Sequence, residues 1–496
     1  MPKIKNSYII IAIASKTAQL FCSKRILQTP DIIGKRKGTV IMSQSDKSRE
    51  NKMGVMPEGK LLINMSLPMM VSMLVQALYN IVDSIFVSKI SEDALTAVSL
   101  AFPLQSLLIA IAAGTGVGVN ALVSRALGEK NKDKVNSIAA NGIFIYFLSY
   151  IAVAVLGLTI VRPFYAMQIK AGQENIMELG VSYLTIVLVF SFGIFAQFIF
   201  ERLLQSTGRT FFTMISQATG AVINIILDPI LIFGLLGMPK LGIAGAAIAT
   251  VIGQIVAGII AIIWNIKKNQ DIKISFRGFR PNISTIGKIY QIGIPSIVMQ
   301  SIGSVMTTGM NLILMGLSST AAAVFGVYFK VQSFFFMPVF GLNNGMIPII
   351  GYNLGAKNKE RITNTLKYGY AIAFFFMMLG FAAFMLLPDR LLLMFEASEE
   401  MLEIGVNALR IIAIHYLVAW FCIVTGSLFQ AVGKAMYSLY VSVARQLVVL
   451  LPAAYILAKI GGLSLIWWAF PIAEVMSLLI SVVCIKLTYS KVINNL

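Results

Sequence analysis

Leu127–Lys132 reads L-G-E-K-N-K, and Leu354–Lys359 reads L-G-A-K-N-K. The second copy follows the first at an offset of 227 (127 to 354). Pro68 and Pro295, each near the start of a long apolar stretch, keep the same offset. Later landmarks drift to 225: Pro163 with Pro388, Gln205 with Gln430, Gly208 with Gly433. Each half carries six apolar stretches of about twenty residues or more, the length of a membrane-spanning helix and about twice that of a barrel strand. A duplicated hydrophobic chain points to a transporter with its site between the halves.

The chain has 496 residues, 57% hydrophobic and 12% charged, with a mean hydropathy of +0.82. A soluble domain is charged at about a quarter of its positions. The sequence predicts an all-α membrane protein with twelve transmembrane helices. They fall at roughly 61–87, 94–120, 138–161, 179–201, 210–236, 242–266, 288–314, 319–350, 366–388, 404–430, 436–458 and 462–485. Six spans return the chain to its starting side, so both halves enter in one orientation. The two six-helix bundles are then related by a pseudo-twofold axis along the membrane normal. The expected organisation is a polar, basic, disordered extension over 1–56, an N-terminal bundle over 57–266, a linker over 267–287 and a C-terminal bundle over 288–496. Residues 1–41 are expected to be dispensable, because Met42 opens a short polar run leading into the first span.

The net charge of +19 is topology rather than a nucleic-acid surface. Of 40 Lys and Arg, 31 fall in loops on the N-terminal side and 6 on the other, with Lys330, Arg410 and Arg445 inside spans. This bias puts both termini in the cytoplasm of a multi-pass cell-membrane protein. Attraction to anionic membrane lipids follows from the same charge. Cys22, Cys422 and Cys484 are too scattered for a disulfide or zinc framework. No cofactor is implied. The lone His415 reads as a packed histidine. Gly114-Thr-Gly116-Val-Gly118 lacks the Lys-Ser/Thr of a phosphate loop and reads as a helix-packing surface.

Of twenty-one acids, only Asp83, Asp228 and Glu474 lie well inside predicted spans, and Glu201 stands at a helix end. An Asp at a span centre costs about 2.5–3.5 kcal/mol, so it persists where something uses or compensates it. Asn224 and Asp228 are four apart and share a helix face. Pro229 frees the Ile225 carbonyl beside them. These oxygens could hold Na⁺ or accept a proton. Asp83 shares a stripe with Gln76, Tyr79 and Asn80, polar enough to line a substrate cavity that Met306 and Met310 would complete from the seventh span. Asp83 aligns with Met310, and Asp228 with Leu451, so the ion chemistry should reside in the N-terminal bundle. Arg445 and Glu474 read as a structural ion pair.

Six segments in order carry a resemblance. They are Q-A-L-Y-N-I-V-D (76–83), E-R-L-L-Q-S-T-G (201–208), N-I-I-L-D-P (224–229), G-I-A-G-A-A-I-A-T (242–250), P-V-F-G-L-N-N-G (338–345) and W-A-F-P-I-A-E (468–474). The chain resembles multidrug and toxic compound extrusion (MATE) transporters, near their bacterial multidrug-efflux and DNA-damage-inducible-F-like branches. The resemblance implies a monomeric antiporter, coupled to H⁺ or Na⁺, that exports amphipathic, often cationic drugs. It also implies an N-lobe cation site at Asp83, Asn224 and Asp228, joined by the Thr250 hydroxyl. A second cation site that another branch builds from acids on spans seven and ten has no counterpart here, where span ten offers only His415. The alternative is a lipid-linked glycan flippase of a related fold, but only Lys330 and Arg445 are central cations. An enzyme is not expected, because no metal, nucleophile or paired-Asp constellation lies in the spans.

Overall fold

The computed structural model describes residues 50–169, 173–395 and 397–496. The expected dispensable extension lies outside them. Asn51–Leu496 form one compact unit. Its helices are α1 (Lys52–Val55), α2 (Glu58–Ser88), α3 (Glu92–Gly128), α4 (Lys132–Thr159), α5 (Val161–Ala166), α6 (Glu174–Val189), α7 (Phe192–Ser206), α8 (Thr210–Phe233) and α9 (Ile243–Lys268). The second half holds α10 (Ile283–Met315), α11 (Ser319–Gly355), α12 (Lys359–Leu386), α13 (Pro388–Leu393), α14 (Glu399–Ala413) and α15 (Tyr416–Ala431). It ends with α16 (Ala435–Val443), α17 (Leu451–Leu465) and α18 (Ala469–Thr488).

Among the described residues, twelve spans emerge once the bends are resolved. Eight of the long helices each make one. The pair α6–α7 bends by 42° and forms the fourth, and α14–α15 bends by 50° and forms the tenth. From Ala435 to Ile493 the helix runs on for 59 residues, nearly three times the roughly twenty that one crossing needs. It breaks at Gly461–Gly462, where Gly462 turns to φ +56°, and so supplies spans eleven and twelve. The breaks near Ser191 and His415 contain no proline, which is why the sequence reads each as a continuous span.

The duplication is written into the backbone. Lys130 (φ 57°) and Lys357 (φ 55°) repeat at 227, Gly208 (φ 83°) and Gly433 (φ 80°) at 225, and Gly242 and Gly462 (both φ 56°) at 220. The N-caps repeat too. Ser91 and Ser318 cap α3 and α11, and Asn131 and Asn358 cap α4 and α12, each accepting a backbone N–H of the first turn.

Two apolar clusters define two lobes, and each borrows from the other at the end that carries the L-G-x-K-N-K turns, here the motif end. Leu61, Leu62 and Met65 of α2 sit in the C-terminal cluster, and Ile289 of α10 sits in the N-terminal one. Glycines let the backbones touch there. A Cβ on Gly114 would stand 2.6 Å from the Ile297 nitrogen, and one on Gly341 would stand 2.6 Å from the Met70 nitrogen. Gly128 abuts the Tyr352 carbonyl and Gly355 the Arg125 carbonyl. Both contacts come in pairs related by 227. The interlobe glycine contacts all lie in the motif half. Toward the far end α2 exposes Leu78, Ile81 and Ile85, and α10 exposes Val305, Leu312 and Met315.

The residues just before α2 close the seam. The expectation of disorder up to residue 56 is corrected here, because Asn51 caps α1 and Met53 is fully buried. Asn51 Nδ2 donates to the Thr207 carbonyl of the N-terminal lobe (3.1 Å). Arg361 of the C-terminal lobe donates to the Met53 (3.2 Å) and Met56 (2.6 Å) carbonyls. The linker is pinned rather than loose. Arg209 pairs with Asp271 at 3.0 Å, and Asn136 and Asn141 accept the Lys273 and Asn282 N–H groups, both at 2.8 Å.

Candidate functional site: a cation site in the N-terminal lobe

The face shared by Asn224 and Asp228 on α8 packs against α9. Gly220 and Gly253 allow this, since a Cβ on either would come within 2.8 Å of the other's carbonyl oxygen. Asn224 Nδ2 donates to Asp228 Oδ1 (3.3 Å) and to Thr250 Oγ1 of α9 (3.2 Å). Both amide hydrogens are then spent, which fixes the amide with its oxygen elsewhere. Asp228 is completely buried, and Asn224 is nearly so. Asp83, on the far half of α2, makes no hydrogen bond to either. It lies within electrostatic reach of Asp228, with Tyr79 and Tyr183 near both carboxylates. Tyr183 in turn accepts from Gln105 Nε2 at 3.0 Å.

Three oxygens of this group are buried without a hydrogen-bond partner: Asp83 Oδ1, Asn224 Oδ1 and Asp228 Oδ2. An unpartnered buried polar atom costs about 1–3 kcal/mol, and more when charged, so three together mark a site built for something else. Oxygen ligands suit a hard cation, and a carboxylate also suits a proton.

A cavity opens beside them. It is lined by Gln76 and Tyr79 of α2, Gln197 and Gln217, and Asn224 and Thr250. About 80 Å³ of it admits water, within a wider recess of about 670 Å³ that opens to solvent. The inner part has room for a few waters and an ion rather than a drug-sized molecule. Asp83 and Asp228 do not line this cavity; Asn224 and Thr250 do. Asn80 is exposed and lies outside the lining. Met306 and Met310 correct the expectation of a cavity wall on span seven. Met310 has no exposed surface, and both pack into the C-terminal apolar cluster.

In the C-terminal lobe Arg445 Nη1 meets Glu474 Oε2 at 3.2 Å. Arg445 lies in a π-helical stretch, Ala444–Leu450, that leads into α17. His415 is buried at the break in span ten, its ring near Phe336, Tyr416 and Phe470 and its Nδ1 2.6 Å from the Ile412 carbonyl. No group of three or more His, Cys, Asp or Glu that could hold a metal occurs among the described residues.

Sequence reasoning missed Arg202. Counted among the basic residues of a loop, it is 6% exposed on α7. Its Nη1 donates to Gln205 Oε1 (2.7 Å) and, across the seam, to Asn344 Oδ1 of α11 (3.1 Å). The two residues lie in E-R-L-L-Q-S-T-G and P-V-F-G-L-N-N-G, so the signal was present but not their meeting.

A family model, MatE, matches residues 68–230 and 295–456, two copies whose starts are again 227 apart. The chain belongs to the MatE family. It is a multi-pass membrane protein. Its curated relatives include the multidrug export protein MepA of Staphylococcus haemolyticus (strain JCSC1435), 26% identical over 84% of this chain and 90% of that protein. MepA of Staphylococcus aureus (strain MRSA252) is 26% identical over 84% and 91%. Among solved structures, an outward-facing MATE family transporter of the MOP superfamily superposes with a TM-score of 0.84 at 25% identity, covering 90% of this chain and 98% of that one. A MATE in its bent conformation gives a TM-score of 0.82 at 26% identity, covering 88% and 97%.

Proposed function

We propose that this chain is an antiporter that exports amphipathic, often cationic small molecules in exchange for H⁺ or Na⁺ taken up at Asp83, Asn224, Asp228 and Thr250. The observation that carries it is the set of three unpartnered oxygens, Asp83 Oδ1, Asn224 Oδ1 and Asp228 Oδ2, in the N-terminal lobe, with Asn224 and Thr250 in the wall of a cavity there. The related chains named as multidrug exporters support the choice of cargo. With both termini cytoplasmic, the seam sealed by glycines and α1 is the inner gate, and the conformation is open to the outside.

In that state the ion enters from the far end and cancels one negative charge of the carboxylate pair. The less negative pair attracts a cationic guest more weakly, and the guest leaves outward. The lobes then rock, and the ion leaves inward. Drug binding occurs between the lobes rather than in the small inner cavity. The coupling ion is the transported co-substrate, and no cofactor is required.

Ethidium efflux from proteoliposomes, under an imposed pH gradient and then an imposed Na⁺ gradient, tests this. Efflux driven by one gradient supports antiport and identifies the ion. No efflux of any organic cation by folded protein under either gradient refutes it and favours a lipid flippase.

A further inference from the structure

Glu201 is a buried carboxylate that the coupling scheme leaves unused. It stands on α7, 2% exposed. Gln197 Nε2 (3.0 Å) and Ser216 Oγ (3.0 Å) donate to its Oε1, and Gln217 Nε2 (2.9 Å) donates to its Oε2. Gln197 and Gln217 also line the cavity that holds Asn224 and Thr250. One layer of glutamine side chains therefore joins Glu201 to the candidate ion site.

Ser216 makes this more than a packed acid. Its hydroxyl carries one proton and stands 3.0 Å from both Glu201 Oε1 and the Ala257 carbonyl oxygen. When Glu201 is ionised, the hydroxyl donates to the carboxylate. When Glu201 is protonated, its O–H donates to Ser216 Oγ, and the hydroxyl turns to the Ala257 carbonyl. Both states are hydrogen-bonded with no heavy atom moved. A group held only for structure needs one such arrangement, whereas a proton carrier needs two.

The surroundings add direction. Gln217 Oε1 is a buried acceptor without a partner in the cavity wall, suited to a water. The charged and titratable groups around Glu201 are Arg202 on the same helix and, through Arg202, Tyr146 of α4. Tyr146 is tied to the Ala112 carbonyl, and Arg202 crosses the seam to Asn344. Glu201 thus lies between the cavity and the motif end, beside a contact that must break when the lobes part.

We propose that Glu201 is a second proton-binding residue of the N-terminal lobe, receiving the coupling proton through cavity water and releasing it at the motif end. The inference rests on the proton-coupled form of the proposed antiport. In the step an O–H bond breaks at the Asp83–Asp228 carboxyls and one forms on Glu201. No other reactant is needed.

The test is a pH titration by infrared spectroscopy of the full chain in lipid, with pH-driven ethidium efflux measured on the same preparations. Glu201→Gln should remove one titrating carboxyl band and lower efflux by roughly 100-fold, the low end for losing a positioned acid–base group, while ethidium binding is unchanged. Ser216→Ala should keep that band and move its midpoint. Wild-type efflux and an unchanged titration in Glu201→Gln would overturn the proposal. So would efflux driven by Na⁺ alone. If Glu201→Gln does not fold, a Ser216→Ala midpoint equal to wild type overturns it. Asp83→Asn and Asp228→Asn run in parallel separate the two readings. Efflux surviving in both sinks the coupling site itself, while efflux lost in both but kept in Glu201→Gln sinks only the role of Glu201.

Discussion

Gly114→Ala and Gly341→Ala should bias the protein away from the conformation described. Each glycine is helical with ordinary backbone angles, so the new methyl strains no dihedral. Its effect is collision. The Cβ would lie 2.6 Å from a backbone nitrogen of the opposite lobe, Ile297 or Met70, where ordinary contact begins near 3.4 Å. The seam must open by roughly 0.8 Å at that point, and inserting a methyl into a packed interface costs about 1–3 kcal/mol. The seam is the part that must separate for access from the motif end, so the cost falls on one conformation only. The population ratio should shift by roughly 5- to 150-fold toward the alternative. Spin labels on Lys132→Cys and Lys359→Cys, exposed positions 227 apart at the motif end, would report it by pulsed dipolar distances, with Cys22, Cys422 and Cys484 replaced. The two alanines should lengthen the distance alike. Gly326→Ala, where nothing lies within 4 Å of the new Cβ, should not. Distances identical to wild type in folded Gly114→Ala protein would refute the seam as a gate.

Asp83→Asn and Asp228→Asn should each abolish gradient-driven efflux while leaving membrane levels of the protein unchanged, measured by vesicle transport alongside immunoblotting. Arg445→Met leaves Glu474 buried without its ion partner and should cost about 3 kcal/mol, read as a lowered midpoint in thermal unfolding. Arg361→Ala removes the donors to the Met53 and Met56 carbonyls and the 3.4 Å pair with Glu58; dipolar distances should show the motif end opening more often. Burial first, and then Arg209, lowers the Lys52 amine from 10.5 to about 8. The folded state therefore disfavours charged Lys52, and the penalty is full below pH 8. It is relieved as pH rises from about 8 toward 10.5, where the unfolded chain holds more protons. Stability should rise through that window in wild type and less so in Lys52→Met, followed by chemical unfolding at stepped pH.

Much of this architecture was legible because it rests on local rules repeated twice. Apolar runs set the spans, and Ser91, Ser318, Asn131 and Asn358 start four of the helices that re-enter the membrane. Asp83 and Asp228 stood out because charge in a span is expensive, and Asn224 because it lies one turn from Asp228. What was hidden depends on partners far apart in sequence. Arg202 reads as a loop cation until Asn344 is placed beside it. Met306 and Met310 could face a cavity or a core, and periodicity does not choose between them. The bends at Ser191 and His415 lack proline, and the π-helical stretch at Arg445 leaves no mark in composition. Met53 stands in a polar stretch, and only the gap between the lobes accounts for its burial.

The glycine seam also carries history. Gly114 meets Ile297 as Gly341 meets Met70, and Gly128 meets Tyr352 as Gly355 meets Arg125. Every partner is matched at one offset, the signature of an isologous contact between two copies of a single chain. An ancestral six-span half could have paired with itself through this surface, parallel in the bilayer, before the genes fused. Such a dimer would have carried its acids twice or not at all. Fusion freed the halves to differ, so that one keeps the carboxylates and the other replaces them with Met310 and Leu451, on a hinge that neither half had to reinvent.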